Sequence, residues 1–316
     1  MKKILILGCS GFIGKNLGYH FSKKKNYKVY GTYLTKKPSI KNIKFYKHNI
    51  LNRTKNDKLF KNKDIVINCA AVTSGAKDIV KKPYIHVTDN NIINSIVLES
   101  VFNKKVKHLI MLSCTLMYKS SASRLKEKDL NLNEKIYPKY HGGAWVKLSM
   151  EKITEFFSTI SNTKFSVIRH SNLYGPFDKF DLKKSHVFGA TINKVINSKK
   201  QITVLGKGNE KRDLLYIGDF VDFIDKIIKK QKKNFRIYNC GYGDFVSVKS
   251  LIKKIIFISK KNLKIKYDNS FKSLNTSIRI DSGLAKKEIG WNPKTSLEEG
   301  IQKTIEWYKT NYKIKF

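Results

Sequence analysis

Acidic residues are scarce in this chain: 24 Asp and Glu stand against 64 Lys and Arg over 316 residues, a formal net charge of +40. No acid occurs at all before Asp57. Arginine is also rare, limited to Arg53, Arg124, Arg169, Arg212, Arg236 and Arg279, so lysine supplies nearly all the positive charge. A nucleic-acid interface gathers arginines and aromatics on one element. Here the lysines are spread almost evenly, which reads as a solvated cationic surface with no nucleic-acid partner. Four cysteines (Cys9, Cys69, Cys114 and Cys240) lie far apart. Without paired spacing they give neither a zinc site nor a disulfide framework, and they fit a reduced, cytoplasmic compartment. Five prolines are too few for a rigid linker, and no internal repeat occurs. No apolar run approaches the roughly 18–20 residues that span a bilayer, so no membrane partner is expected. The apolar start, Met1–Gly8, is too short for a signal peptide and reads as a first strand.

Core-forming material is plentiful, with 41% hydrophobic and 12% aromatic residues. The length suggests about two domains or one large unit. Short apolar runs at Lys3–Leu7, Tyr27–Gly31, Ile43–Tyr46, Ile65–Cys69, Lys107–Leu112 and Phe165–Arg169 alternate with amphipathic stretches at Ile13–Lys23, Asn90–Asn103 and Trp145–Ser158. That alternation predicts an α/β fold with a doubly wound parallel sheet. Beyond Asn172 the pattern loosens into helices at Val187–Asn197, Asp219–Lys230, Val248–Lys260 and Leu297–Thr310, with a strand at Phe235–Cys240. We expect a dinucleotide-binding domain over residues 1–171 and a smaller α/β substrate domain over 172–316, with 219–240 returning to the main sheet.

Gly8-Cys9-Ser10-Gly11-Phe12-Ile13-Gly14 is a G-x-x-G-x-x-G loop between a strand and a helix. The glycines allow a tight turn and close backbone approach, and the helix N-terminus then faces a pyrophosphate. An NAD ribose usually meets an acid about 20 residues later. The corresponding stretch is Gly31-Thr32-Tyr33-Leu34-Thr35-Lys36-Lys37, hydroxyl-bearing and cationic. Lys36 would attract a 2′-phosphate that an acid would repel, so NADP(H) is expected, with NAD(H) the alternative.

Further motifs resemble the extended short-chain dehydrogenase/reductase family, the NAD-dependent epimerases and dehydratases that act mostly on nucleotide-activated sugars. Ile65–Ala71 is similar to its fourth strand, and Asn90 to an asparagine of its next helix. Asn172-Leu173-Tyr174-Gly175-Pro176 resembles its N-x-Y-G-P turn, and Arg212–Asp219 its R-D-F-x-Y-V-x-D segment. Gly290-Trp291-Asn292-Pro293 and Ser296–Gly300 resemble its C-terminal ending. Phe177–Phe180 and Ser185-His186-Val187 point within the family to the GDP-L-fucose synthase branch. The resemblance implies a Rossmann fold, a homodimer and a nucleotide-diphosphate sugar as substrate. It implies cofactor contacts at Gly8, Ser10, Gly11, Phe12, Ile13, Gly14, Lys36, Asn49, Ile50, Ala70, Ala71, Val72, Asn90 and Lys147. It places Asn172, His186, Val187 and Arg212 against the sugar nucleotide, with His186 as a candidate acid/base.

The chain departs from the family where proton transfer takes place. The family's Tyr-x-x-x-Lys keeps its lysine as Lys147, but Gly143 stands in the tyrosine's place. The Ser/Thr position falls on Cys114, flanked by Ser113 and Thr115. A thiol is a poor donor to a sugar hydroxyl, which leaves Thr115 or Ser113 as substitutes. Leu116 replaces the branch's epimerisation cysteine, and Thr115-Leu116 replaces the acid pair of the dehydratases. Three readings follow: a GDP-4-keto-6-deoxy-sugar reductase with Tyr140, His186 or a water supplying the proton; a nucleotide-sugar epimerase or 4-dehydrogenase with tightly held NAD(P); or a non-catalytic binding protein.

Overall fold

The computed structural model describes residues 1–73, 82–182, 185–268, 270 and 276–312. The first half supplies strands β1 (Lys2–Leu7), β2 (Tyr27–Tyr33), β3 (Ile43–Lys47), β4 (Ile65–Asn68), β5 (His108–Cys114) and β6 (Lys164–His170). Helices α1 (Phe12–Ser22), α2 (Arg53–Phe60), α3 (Thr88–Asn103) and α4 (His141–Thr159) run between them. The second half adds short strands β7 (Asn172–Tyr174), β8 (Gln201–Leu205), β9 (Lys211–Arg212) and β10 (Leu214–Tyr216). Strands β11 (Phe235–Cys240), β12 (Val246–Ser247) and β13 (Lys264–Asp268) follow. Its helices are α5 (Val187–Asn197), α6 (Ile217–Lys230), α7 (Val248–Ile258), α8 (Gly283–Ile289) and α9 (Leu297–Asn311).

Seven strands form one parallel sheet in the order β11-β6-β5-β4-β1-β2-β3. Both faces are covered, which is why β1 and β4 read as nearly unbroken apolar runs rather than alternating ones. One face packs Ile4, Ile6, Ile65 and Ile168 against Phe21 of α1 and Phe220 and Phe223 of α6. The other packs Leu5, Val66, Leu109 and Val167 against Ile96 and Val97 of α3 and Met150 of α4. Strand order reverses between β1 and β4, and the crevice beyond their carboxyl ends is where such sheets bind ligands.

A second core joins α5, α7 and α9 around Phe188, Ile192, Leu251, Ile255 and Ile305. It is braced by the small pairs β10–β7, β12–β9 and β13–β8. The C-terminal motif is structural: Gly290 ends α8 with φ +64, and the Trp291 indole donates to the Asp219 carbonyl at 3.0 Å. Helix α4 begins at His141, four residues earlier than its sequence pattern predicts. Its first turn holds Gly142 and Gly143, poor helix formers; Gly142 is closely packed, since a Cβ on it would stand 2.9 Å from Val87.

Candidate active site

The glycine loop joins β1 to α1 under tight steric limits. Gly8 has φ +69, and a Cβ there would lie 2.9 Å from the backbone of Ala70 at the end of β4. A Cβ on Gly14 would collide with the Gly8 carbonyl oxygen. Thr32 of β2 fixes the loop from the side, its hydroxyl accepting from Gly8 N at 2.9 Å and its carbonyl from Cys9 N at 2.8 Å. Gly11 caps α1 in an extended conformation with no side-chain cap. The N–H groups of Phe12, Ile13 and Gly14 are therefore left for an anion, with Ser10 half-buried beside them. These residues fit a dinucleotide pyrophosphate.

At the far end of β2, Lys36 is exposed. Asn49 is also exposed, its side-chain oxygen accepting from Leu51 N at 3.2 Å, while Ile50 is buried with its carbonyl held by Asn56 at 2.9 Å. On the β4 side, Ala70, Ala71 and Val72 form the connection that leaves the sheet. Asn90 holds it: its side-chain oxygen accepts from Val72 N at 2.8 Å, and its amide donates to the carbonyls of Val72 at 3.1 Å and His86 at 2.8 Å. Asn90 thus positions the loop.

Lys147 projects from α4 to the end of β5, where its ammonium donates to the Leu112 carbonyl at 2.7 Å. Burial lowers its pKa, while Cys114 and Glu151 act the other way. Burial raises the Cys114 thiol, despite Lys147 nearby, so it remains protonated. Thr115 follows it, half-buried at the strand end. The structure does not bring Ser113 into this group. Ser113 is fully buried and donates to Glu151 at 2.6 Å, within a network in which Arg169 grips the Glu151 carboxylate at 2.7 Å and Tyr118 at 2.8 Å.

Gly143 lies one turn before Lys147, and a Cβ there would meet only Leu116, at 3.8 Å. Tyr140 caps the same helix two turns before Lys147, its ring centroid 5.4 Å from that of Tyr137. No contact among the described residues joins Tyr140 to Lys147.

From the second lobe, His186 caps α5 with an exposed side chain, followed by half-buried Val187. Asn172 donates to the Asp213 carbonyl at 3.2 Å, and Arg212 donates to the carbonyls of Lys211 at 2.8 Å and Thr276 at 3.2 Å. Asp213, the first acid of the Arg212–Asp219 segment, was given no role by that motif. Buried, with its pKa raised to about 6 by that burial, it accepts from the N–H groups of Tyr242, Gly243 and Ile280 and so ties two loops to its own segment. His170, at the carboxyl end of β6, was also passed over. It stands in register with Cys114 of β5 and Cys240 of β11, and its Nδ1 bonds the Ser171 carbonyl at 2.8 Å. Its position directly after Arg169 and before the Asn172 turn was the available signal.

Comparison with known proteins matches this arrangement. The sequence profile of the NAD dependent epimerase/dehydratase family fits residues 4–241. GDP-L-colitose synthase of Yersinia pseudotuberculosis is 26% identical over 312 residues, covering 97% of each chain. UDP-glucuronate 4-epimerase of Thermodesulfobacterium geofontis is 27% identical over 328 residues, covering 98% of this chain and 97% of its own. The crystal structure of UDP-glucose 4-epimerase from Thermotoga maritima superposes with a TM-score of 0.86 at 24% identity, over 98% of this chain and 99% of its own. By sequence profile and by fold, the chain belongs to the NAD-dependent epimerase/dehydratase family of short-chain dehydrogenases/reductases.

Proposed function

We propose that the chain is a nucleotide-sugar reductase that uses NADP(H) on a GDP-4-keto-6-deoxy-sugar. The observation that carries the reading is Lys147, fixed on the Leu112 carbonyl in the crevice that begins at the glycine cradle. The GDP assignment leans on the likeness to GDP-L-colitose synthase and to GDP-L-fucose synthase of Sinorhizobium fredii, 29% identical over 252 residues. The NADP(H) preference leans on exposed Lys36 and the absence of any acid before Asp57.

A bound dinucleotide supplies hydride chemistry at its nicotinamide. The chain's part is binding, orientation and the proton. The first-turn N–H groups of α1 hold the pyrophosphate. The Lys147 ammonium orients the nicotinamide ribose and offsets negative charge that develops on the sugar oxygen. The Thr115 hydroxyl donates to the same oxygen. With no phenol at position 143, the proton reaches that oxygen from His186, Tyr140 or a water between them. Arg212 and Asn172 face the sugar nucleotide.

An epimerase with tightly held NAD is the second reading, favoured by likeness to UDP-glucuronate 4-epimerase over nearly the whole chain. A thermal-shift panel separates the two. The reductase reading predicts the largest stabilisation with a GDP-sugar together with NADPH. Stabilisation by UDP-sugars together with NAD, and none by GDP-sugars, would contradict it.

A homodimer also belongs to this reading. Trp145 and Phe156 on α4 and Ile92 on the neighbouring α3 are 47%, 57% and 40% exposed. Such an apolar helical surface is suited to pairing with a second copy.

A further inference from the structure

The parallel sheet measures out the crevice. From the glycine loop at the end of β1, strands β4, β5 and β6 follow in order, three steps of about 4.8 Å, or about 14 Å in all. A dinucleotide whose pyrophosphate sits on α1, and whose ribose meets Lys147 near the end of β5, therefore reaches the end of β6 with its nicotinamide. His170 ends that strand.

Its chemistry is well defined. The Ser171 carbonyl can only accept, so the 2.8 Å contact places the ring proton on Nδ1. Burial holds the ring pKa down at about 4, against the Ser171 bond, and the nearby Lys147 and His186 push it further in that direction. The ring is therefore neutral at pH 7, and Nε2 carries a bare lone pair. Phe220 stands edge-on at 5.6 Å and limits the ring's rotation. The side chain is half-buried, and no group among the described residues meets Nε2. A neutral acceptor beside a lysine already bonded to Leu112 suits a neutral N–H donor. At this end of a dinucleotide the donor is the carboxamide.

We propose that His170 Nε2 accepts a hydrogen bond from the carboxamide N–H of the bound nicotinamide and so fixes the rotation of that ring. This rests on the dinucleotide-binding reading above.

The test is equilibrium binding, followed by protein fluorescence, of NADP⁺ and of its 3-acetylpyridine analogue, in which a methyl replaces the amide nitrogen. The wild-type chain should bind the analogue about fivefold more weakly, the worth of one hydrogen bond. In His170→Phe, NADP⁺ should weaken by about the same factor while the analogue is unaffected, so the difference between them disappears. His170→Gln, whose amide oxygen also accepts, should recover part of the discrimination, and it serves in place of Phe if that variant does not fold. Discrimination that persists in His170→Phe, or fails to appear in the wild type, would overturn the proposal. Absence of any dinucleotide binding by the wild-type chain would overturn both the proposal and the reading beneath it.

Discussion

Gly14 and Gly143 both lie in the first turn of a helix, for opposite physical reasons. A Cβ on Gly14 would collide with the Gly8 carbonyl, so the glycine is required by the loop's closure. Gly14→Ala is expected to weaken dinucleotide affinity by about tenfold or more, measured by fluorescence titration. Gly143 is free of such contact, since the nearest atom to its Cβ would be Leu116 at 3.8 Å. Gly143→Ala should therefore stabilise the chain by roughly 0.5–1 kcal/mol in urea unfolding. Gly143→Tyr places a phenol one turn before Lys147 and should raise turnover by about a hundredfold, the lower end of the usual range of acid–base help. Asp178 makes a further residue-scale case. It is 5% exposed, with one carboxylate oxygen bonded to Lys179 N and the other without a partner among the described residues. Burial raises its pKa from 3.8 to about 7. The unfolded chain releases this proton first, so folding stability falls as pH rises from about 4 to 7. Asp178→Asn should remove that part of the pH dependence of urea unfolding. A slope unchanged by the substitution would contradict the assignment.

At the scale of elements, the parallel strands were legible because burial on both faces writes continuous apolar runs such as Ile4–Leu7 and Ile65–Ile67. The strand pairs of the second lobe were not. β7, β9, β10 and β12 are two or three residues long and carry no period. The start of α4 was misplaced because its first turn contains two glycines, whose low helix propensity hides the turn in the sequence. The site was legible where spacing is local, in the glycine loop and in the position of Lys147. It was illegible where partners are remote in sequence. Ser113 looked like a hydroxyl donor to substrate, yet the fold joins it to Glu151, Arg169, Tyr118 and Asn239 in one buried network. This network staples α4 to β5 and β6. Removing one member of a buried ion pair strands the other, so Glu151→Ala should cost about 3–5 kcal/mol in urea unfolding. Ser113→Ala should cost only about 1 kcal/mol.

For the whole molecule, the scarcity of acid bears on function more directly than the abundance of lysine. Surface pairs such as Lys152–Glu155 and Lys303–Glu299 contribute little each. The acid-free stretch before Asp57, by contrast, is what the proposed preference of Lys36 for a 2′-phosphate rests on. Assembly can be examined at the same scale: on the proposed reading the unaltered chain should sediment as a dimer, and Trp145→Glu with Phe156→Glu should give monomers. The most direct measurement mixes the purified chain with NADPH and a GDP-4-keto-6-deoxy-sugar and follows the absorbance of the reduced nicotinamide. The account predicts oxidation of one NADPH per sugar reduced, with slower turnover in Lys147→Met. No oxidation with any GDP-linked keto sugar, alongside interconversion of UDP-sugars by chain carrying bound NAD, would contradict it.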